Sequence, residues 1–177
     1  EHIMVILKEV LNRKMSCNFH TPNGIHIKFM TEELCELMYE TGFKTIRLGF
    51  ETADAGRQRS TGSKTTNEEF RHSVSNLQNA GFLPMEIGVY ILIGLPGQEP
   101  EEVEETIGFV WDAGARPILA EYSPIPQTAL WQDAVKESRL DIATDPLFHN
   151  NSLVPFCSRH FSPEICDKLK LMTRHAD

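Results

Sequence analysis

The stretch Ile87-Gly-Val-Tyr-Ile-Leu-Ile-Gly-Leu-Pro-Gly-Gln-Glu-Pro-Glu-Glu-Val-Glu-Glu105 decides the fold. Ile87 to Ile93 is a short apolar run rich in β-branched residues and reads as a buried strand. It stops at Gly94-Leu-Pro-Gly97. Pro100 then starts a helix whose first turn carries Glu101 and Glu102, acids that match the positive end of the helix dipole. In a parallel α/β sheet such a junction lies at the carboxyl end of the strand, where ligands bind. Gly94 and Gly97 leave the backbone bare, so a ligand can approach it closely.

The same alternation extends in both directions. Ile3 to Arg13 carries an apolar stripe at helical spacing (Ile3, Ile6, Leu7, Val10, Leu11). Met15 to His20 reads as a strand stopped by the turn cluster Thr21-Pro22-Asn23-Gly24. Thr31 is the expected N-cap of a helix that buries Leu34, Leu37 and Met38 and closes at Gly42. Lys44 to Phe50 is the next strand, and Glu51 to Thr65 reads as a polar loop. Thr66-Asn-Glu-Glu69 is a capping box opening a helix with Phe70, Val74 and Leu77 inward, ended by Gly81. Downstream of the helix at Pro100, which ends at Gly114, Arg116 to Tyr122 is the last strand. The order β-α-β-α-β-α-β behind a leading helix predicts an α/β fold with parallel strands. A complete eight-stranded barrel needs roughly 250 residues, so four strands are a small open sheet or part of a larger barrel. Beyond Pro126 the pattern loosens: a helix over 128–138, an extended connection over 139–160, and a last helix started by Ser162-Pro163-Glu164.

The 177 residues are 41% hydrophobic and 24% charged, an ordinary globular composition. No apolar run reaches the length of a bilayer span. A net charge of −8 argues against a broad nucleic-acid-binding surface. Four cysteines without a CxxC pair predict free thiols in a reducing, cytoplasmic setting. The chain starts at Glu1 without a Met, which predicts a segment of a longer protein. The tail set Cys157, His160, Cys166 and His175 has spacings that fit no zinc module, so no metal ligand is assigned.

Five motifs occur in order: Phe19-His-Thr-Pro-Asn-Gly24, Thr45-Ile-Arg-Leu-Gly-Phe-Glu-Thr52, Arg59-Ser-Thr-Gly-Ser-Lys64, Ile91-Leu-Ile-Gly-Leu-Pro-Gly97 and Ala120-Glu-Tyr-Ser-Pro-Ile-Pro126. Together they resemble successive strand ends of the radical S-adenosylmethionine (SAM) enzymes, especially the branch that carries an upstream cobalamin-binding domain. The resemblance covers residues 1–135. It implies a partial parallel (β/α) barrel of about four strands, the C-terminal part of a TIM-like (β/α)6 barrel, with residues 136–177 as a helical extension. In that family a 4Fe–4S cluster is held by CxxxCxxC after the first strand. Three thiolates leave one iron free to chelate SAM, and SAM becomes a 5′-deoxyadenosyl radical that abstracts hydrogen from substrate. This sequence has no CxxxCxxC, and its first strand corresponds to the family's third. The resemblance therefore places the cluster loop and two strands upstream of Glu1. The strand Met15–His20 would then be an exposed edge, prone to self-association unless the C-terminal tail shields it.

The resemblance also assigns SAM contacts. Alternation puts Arg47, Gly49 and Glu51 on one face of their strand, and Glu51 matches a polar contact to the SAM ribose or ammonium. Tyr90, Leu92 and Gly94 share one face and align with the adenine-contact strand, Tyr90 replacing a smaller or acidic residue. Ser123 matches the position whose backbone meets adenine, Lys64 a basic position near the SAM carboxylate, and His20 a strand end facing the pocket. From the residues alone, an exposed loop carboxylate, a core leucine, a turn-capping serine, a structural histidine and a solvated lysine stay open for the same positions. No catalytic residue is assigned. Two other functions also stay open: a phosphate- or sugar-binding (β/α) enzyme domain using the Gly94–Gly97 loop, or a non-catalytic binding module derived from a barrel. The substrate is not legible, because the fold family fixes the cofactor and not the acceptor.

Overall fold

The computed structural model describes residues 2–60, 65–150 and 160–174. Its centre is a parallel sheet of five strands: β1 (Phe19–His20), β2 (Ile25–His26), β3 (Phe43–Glu51), β4 (Ile87–Ile93) and β5 (Arg116–Glu121). β1 and β2 pair with β3 one above the other on the same edge, and β4 and β5 follow on its other side. Seven α-helices lie among the described residues, beside short 3-10 turns: α1 (His2–Asn12), α2 (Glu32–Glu40), α3 (Ala55–Ser60), α4 (Asn67–Ala80), α5 (Pro100–Asp112), α6 (Trp131–Glu137) and α7 (Pro163–Met172). None of the helices is long and apolar enough to cross a membrane.

The two sheet faces differ as the strand alternation requires. Ile46, Leu48 and Phe50 of β3 and Ile87, Val89, Ile91 and Ile93 of β4 are buried in the core with side chains of α2, α4 and α5. Each such side chain contributes about 1.5–3 kcal/mol relative to exposure. Phe50 stacks on Phe70 of α4 at 4.2 Å and on Phe109 of α5 at 5.7 Å. The opposite face, with Arg47, Gly49, Glu51, Tyr90 and Leu92, is only half-buried. One packed face and one open face make this the wall of an α/β barrel, a partial (β/α) barrel carrying a helical C-terminal extension.

Local signals act as the sequence suggests. The Thr31 hydroxyl accepts from the Leu34 amide, both arms of the Thr66–Glu69 capping box form, Gly81 takes φ 114°, and Ser162 accepts from the Ile165 amide. β4 has the expected bounds.

The edge strand is different. Met15–Asn18 is not strand, and the ladder consists of two short pieces separated by Thr21–Gly24. The Thr21 hydroxyl accepts the Arg47 amide at 2.8 Å, a place normally taken by a strand carbonyl, and the chain bows away from strand pairing before re-entering at Ile25. With Pro22 in the bow, the edge is neither long nor flat. Of the described residues of the tail, α7 packs on α5, where the Trp111 indole donates to the Met172 carbonyl. The polar loop after β3 holds the short helix α3, whose first turn is capped by the Asp54 carboxylate accepting from the Arg57 amide. The helix expected over 128–138 begins at Trp131 and ends at Glu137. Within the 139–160 connection, Pro146–His149 forms a 3-10 turn capped by Asp145.

Candidate functional site

Every strand is parallel, so the carboxyl ends of β2, β3, β4 and β5 open on one side. There β3 departs from regular pairing. Its register moves from Gly49 opposite Tyr90 to Glu51 opposite Ile91, a bulge at Phe50, and Glu51 adopts φ 72°. A non-glycine residue in this region costs about 1–3 kcal/mol and recurs at binding sites. Beside it, a Cβ on Gly49 would meet nothing within 4 Å, whereas one on Gly24 would lie 3.0 Å from the Gly49 nitrogen. The Thr21–Gly24 bow is thus pressed against a bare strand position. The result is a cleft of about 200 Å³ lined by residues that include Gly24, His26, Gly49, Glu51, Gln58 and Thr65. That is smaller than the roughly 300 Å³ at which pockets for whole ligands begin, so it accommodates part of a molecule.

The other assigned residues occupy distinct levels. Tyr90 pairs with Gly49 in mid-strand and its hydroxyl donates to the Pro22 carbonyl at 2.9 Å, which holds the bow in place. Leu92 is half-buried on the same face. Gly94 leaves β4 at the open end with φ 88°. Ser123 leaves β5 at that same end, just after the Tyr122 amide bonds the Ile93 carbonyl. Burial pushes the Tyr122 phenol above its ordinary value, against the opposing hydrogen bond with Thr128. Lys64 lies outside the described residues. His20 is not brought to the cleft: it pairs with Thr45, far below Glu51, and its Nδ1 lies 2.9 Å from the Thr45 hydroxyl. The carboxyl end of the split edge strand is His26, which faces Gly49 and lines the cleft.

The glycine loop after β4 is tied down from within. Gln98 is only 1% exposed. Its Oε1 accepts from the Gly94 and Leu95 amides at 2.8 and 3.2 Å, and its Nε2 donates to the Leu92 carbonyl at 3.0 Å. The Gly97 amide donates to both carboxylate oxygens of Glu137 on α6, at 3.1 and 2.9 Å. An anion cradle here would need those same N–H groups.

Among the described residues the thiols do not gather. Cys17 is exposed, Cys35 and Cys166 are buried, and burial pushes the latter two up to about 12 and about 11. His160 faces Glu99, while Cys157 and His175 lie outside the described residues. Among the described residues no group of three or more His, Cys, Asp or Glu side chains is arranged to hold a metal ion.

A parallel barrel wall with a bulged carboxylate strand and a stapled glycine loop at its open end defines part of an α/β barrel. The model of the Radical SAM superfamily matches residues 1–110, and the chain belongs to that superfamily. No curated protein matches it. Among solved structures, coproporphyrinogen III oxidase HemN from Escherichia coli, a radical SAM enzyme, is similar with 17% identity and TM-score 0.56, over 74% of this chain and 30% of its own. The radical SAM methyltransferase TsrM from Kitasatospora setae, bound to cobalamin and a 4Fe–4S cluster, is similar with 15% identity and TM-score 0.69, over 99% of this chain and 41% of its own. Its structure with tryptophan and the SAM analogue aza-SAM gives TM-score 0.67 at the same identity. These likenesses are of fold, and the chain spans less than half the length of either protein.

The donor set tests the cofactors this family implies. A carboxylate, an amide and an imidazole around a floor without side chains suit an ammonium or a ribose, so the cleft fits part of SAM. Among the described residues, the scattered thiols, two of the three buried, do not fit the cluster.

Proposed function

We propose that this chain is the C-terminal part of the catalytic barrel of a radical SAM enzyme and forms one side of its SAM site. The observation that carries the reading is the strained, bulged Glu51 beside the open floor at Gly49. Glu51 accepts from the SAM ammonium or ribose, Gln58 and His26 line the same cleft, and Leu92, Gly94 and the backbone at Ser123 border the adenine. Tyr90, engaged with Pro22, supports the wall of the cleft instead of touching ribose. When bound, SAM together with a cluster held elsewhere in the full-length protein would supply radical chemistry for hydrogen abstraction from substrate. The residues here bind and orient SAM and hold the loops around it. An upstream cobalamin domain is in keeping with the fold likeness to TsrM, and free thiols at Cys17, Cys35 and Cys166 are in keeping with a cytoplasmic protein. The rival use of the Gly94–Gly97 loop as a phosphate cradle is disfavoured, since Gln98 and Glu137 already take its amides.

In the full-length protein, Glu51→Ala should weaken SAM binding by about 1–3 kcal/mol, the value of a charged hydrogen bond, and leave the cluster's iron content unchanged. Calorimetric titration with SAM measures this, and an unaltered affinity would remove Glu51 from the site.

A further inference from the structure

Arg57 lies on α3 and reaches helix α5 and the glycine loop after β4 at once. Its Nε and Nη2 grip the Glu102 carboxylate of α5 at 2.6 and 2.9 Å, and Nη1 and Nη2 donate to the carbonyls of Pro96 and Gly97 at 3.2 and 2.9 Å. The two side chains are 15% and 16% exposed. Glu102 also accepts from the hydroxyl of Thr52, the residue after Glu51, at 3.0 Å. The Thr106 hydroxyl accepts from the Ala53 amide, and Gln58, one residue beyond Arg57, donates to the Thr52 carbonyl and lines the cleft. One guanidinium therefore joins the segment that follows Glu51 to the glycine loop that follows β4.

A half-buried ion pair is weak evidence for stability, because desolvation offsets much of the attraction. What the planar fork supplies is geometry: several donors fixed in one plane, which neither a lysine nor an apolar pair reproduces. We propose that Arg57 is a positioning residue that locks the β3 and β4 loops into one ligand surface, holding Glu51 and Gly94 at a fixed separation without itself touching SAM. This rests on the SAM reading above.

The test uses the full-length protein with Arg57→Gln, Arg57→Lys, Glu102→Gln and the double variant Arg57→Gln/Glu102→Gln. Two quantities are read, amide hydrogen exchange by segment and SAM affinity by calorimetry. Arg57→Gln should speed exchange about tenfold or more at both 51–54 and 94–98, leaving mid-strand β3 and β4 protected. It should weaken SAM by roughly five- to thirtyfold, and the double variant should be no worse than either single one. Arg57→Lys, which keeps the charge and packing, should show the same loosening in milder form and serves as the reading if Arg57→Gln does not fold. Exchange that rises only near 51–60, or evenly through the core, would overturn the proposal, as would additive losses in the double variant. An unchanged SAM affinity in Glu51→Ala would instead defeat the SAM reading, and the exchange at 94–98 would still decide whether Arg57 couples the loops.

Discussion

Glu51 holds a backbone conformation that a glycine would adopt without cost, and that conflict is a residue-scale argument for function. Its φ of 72° follows a bulge that interrupts β3 one residue earlier. Replacing it with glycine relieves left-handed strain worth about 1–2 kcal/mol, while the freer unfolded chain returns roughly 0.4–1 kcal/mol. Glu51→Gly should therefore raise stability modestly, by about 0.5–1 kcal/mol by this difference, and weaken SAM as much as Glu51→Ala does. Urea unfolding of the two variants side by side checks it; a glycine variant less stable than the alanine one would mean that the strain is absent. Cys35 makes a second residue-scale prediction. The unfolded thiol ionises near its ordinary 9.0, whereas burial, with a smaller push from Glu36, raises the folded one to about 12. The folded state thus binds the proton more tightly. Its advantage is complete below pH 9 and is lost as pH rises from 9 toward 12, at up to about 1.4 kcal/mol per pH unit. Unfolding midpoints at pH 8 and pH 10 should fall less steeply in Cys35→Ala than in the unchanged protein.

Among the elements, those that carry their own signals were the ones legible in the sequence. α2, α4 and α7 announce themselves through Thr31, Thr66 and Ser162, whose hydroxyls satisfy amides three residues on, and β4 through an unbroken apolar run. The edge strand and α3 were not legible, because what shapes them comes from other parts of the chain. Thr21 enters the ladder through its side chain because the Arg47 amide of β3 meets it, and the bow lies close against β3 because Gly24 has no side chain, a Cβ there falling 3.0 Å from the Gly49 nitrogen. The same cause hid the site: Glu51 and Gly94 could be placed at strand ends by alternation, but His26 depended on the bow, and Arg57 and Gln98 on loops folding toward each other. Gln98 is the element-scale test. Its side chain serves two amides and one carbonyl in a buried position. Gln98→Ala should cost about 2–4 kcal/mol, since several backbone groups lose their partners without access to water. Denaturant unfolding measures it, and a loss below 1 kcal/mol by that scale would mean that water replaces the amide.

At the scale of the whole molecule, the sheet brings the carboxyl ends of four strands to one side, yet among the described residues it brings no thiols there. A 4Fe–4S cluster needs several thiolates converging within bonding distance of one another. Here Cys35 sits on α2 and Cys166 on α7, each buried, and Cys17 is exposed before β1. Ionising the two buried thiols near neutral pH works against values of about 12 and about 11. The sheet also needs both of them where they are, since Cys35 and Cys166 belong to the packed core. Anaerobic reconstitution of residues 1–177 with ferrous iron and sulfide should therefore yield no 4Fe–4S absorbance and no paramagnetic signal after reduction. The full-length protein, treated alike, should yield both, and its signal should change on adding SAM. The two outcomes separate cleanly. A SAM-responsive cluster on residues 1–177 alone would show that these scattered cysteines can be drawn together, and would overturn the view that this wall of the barrel binds SAM while the cluster is held elsewhere.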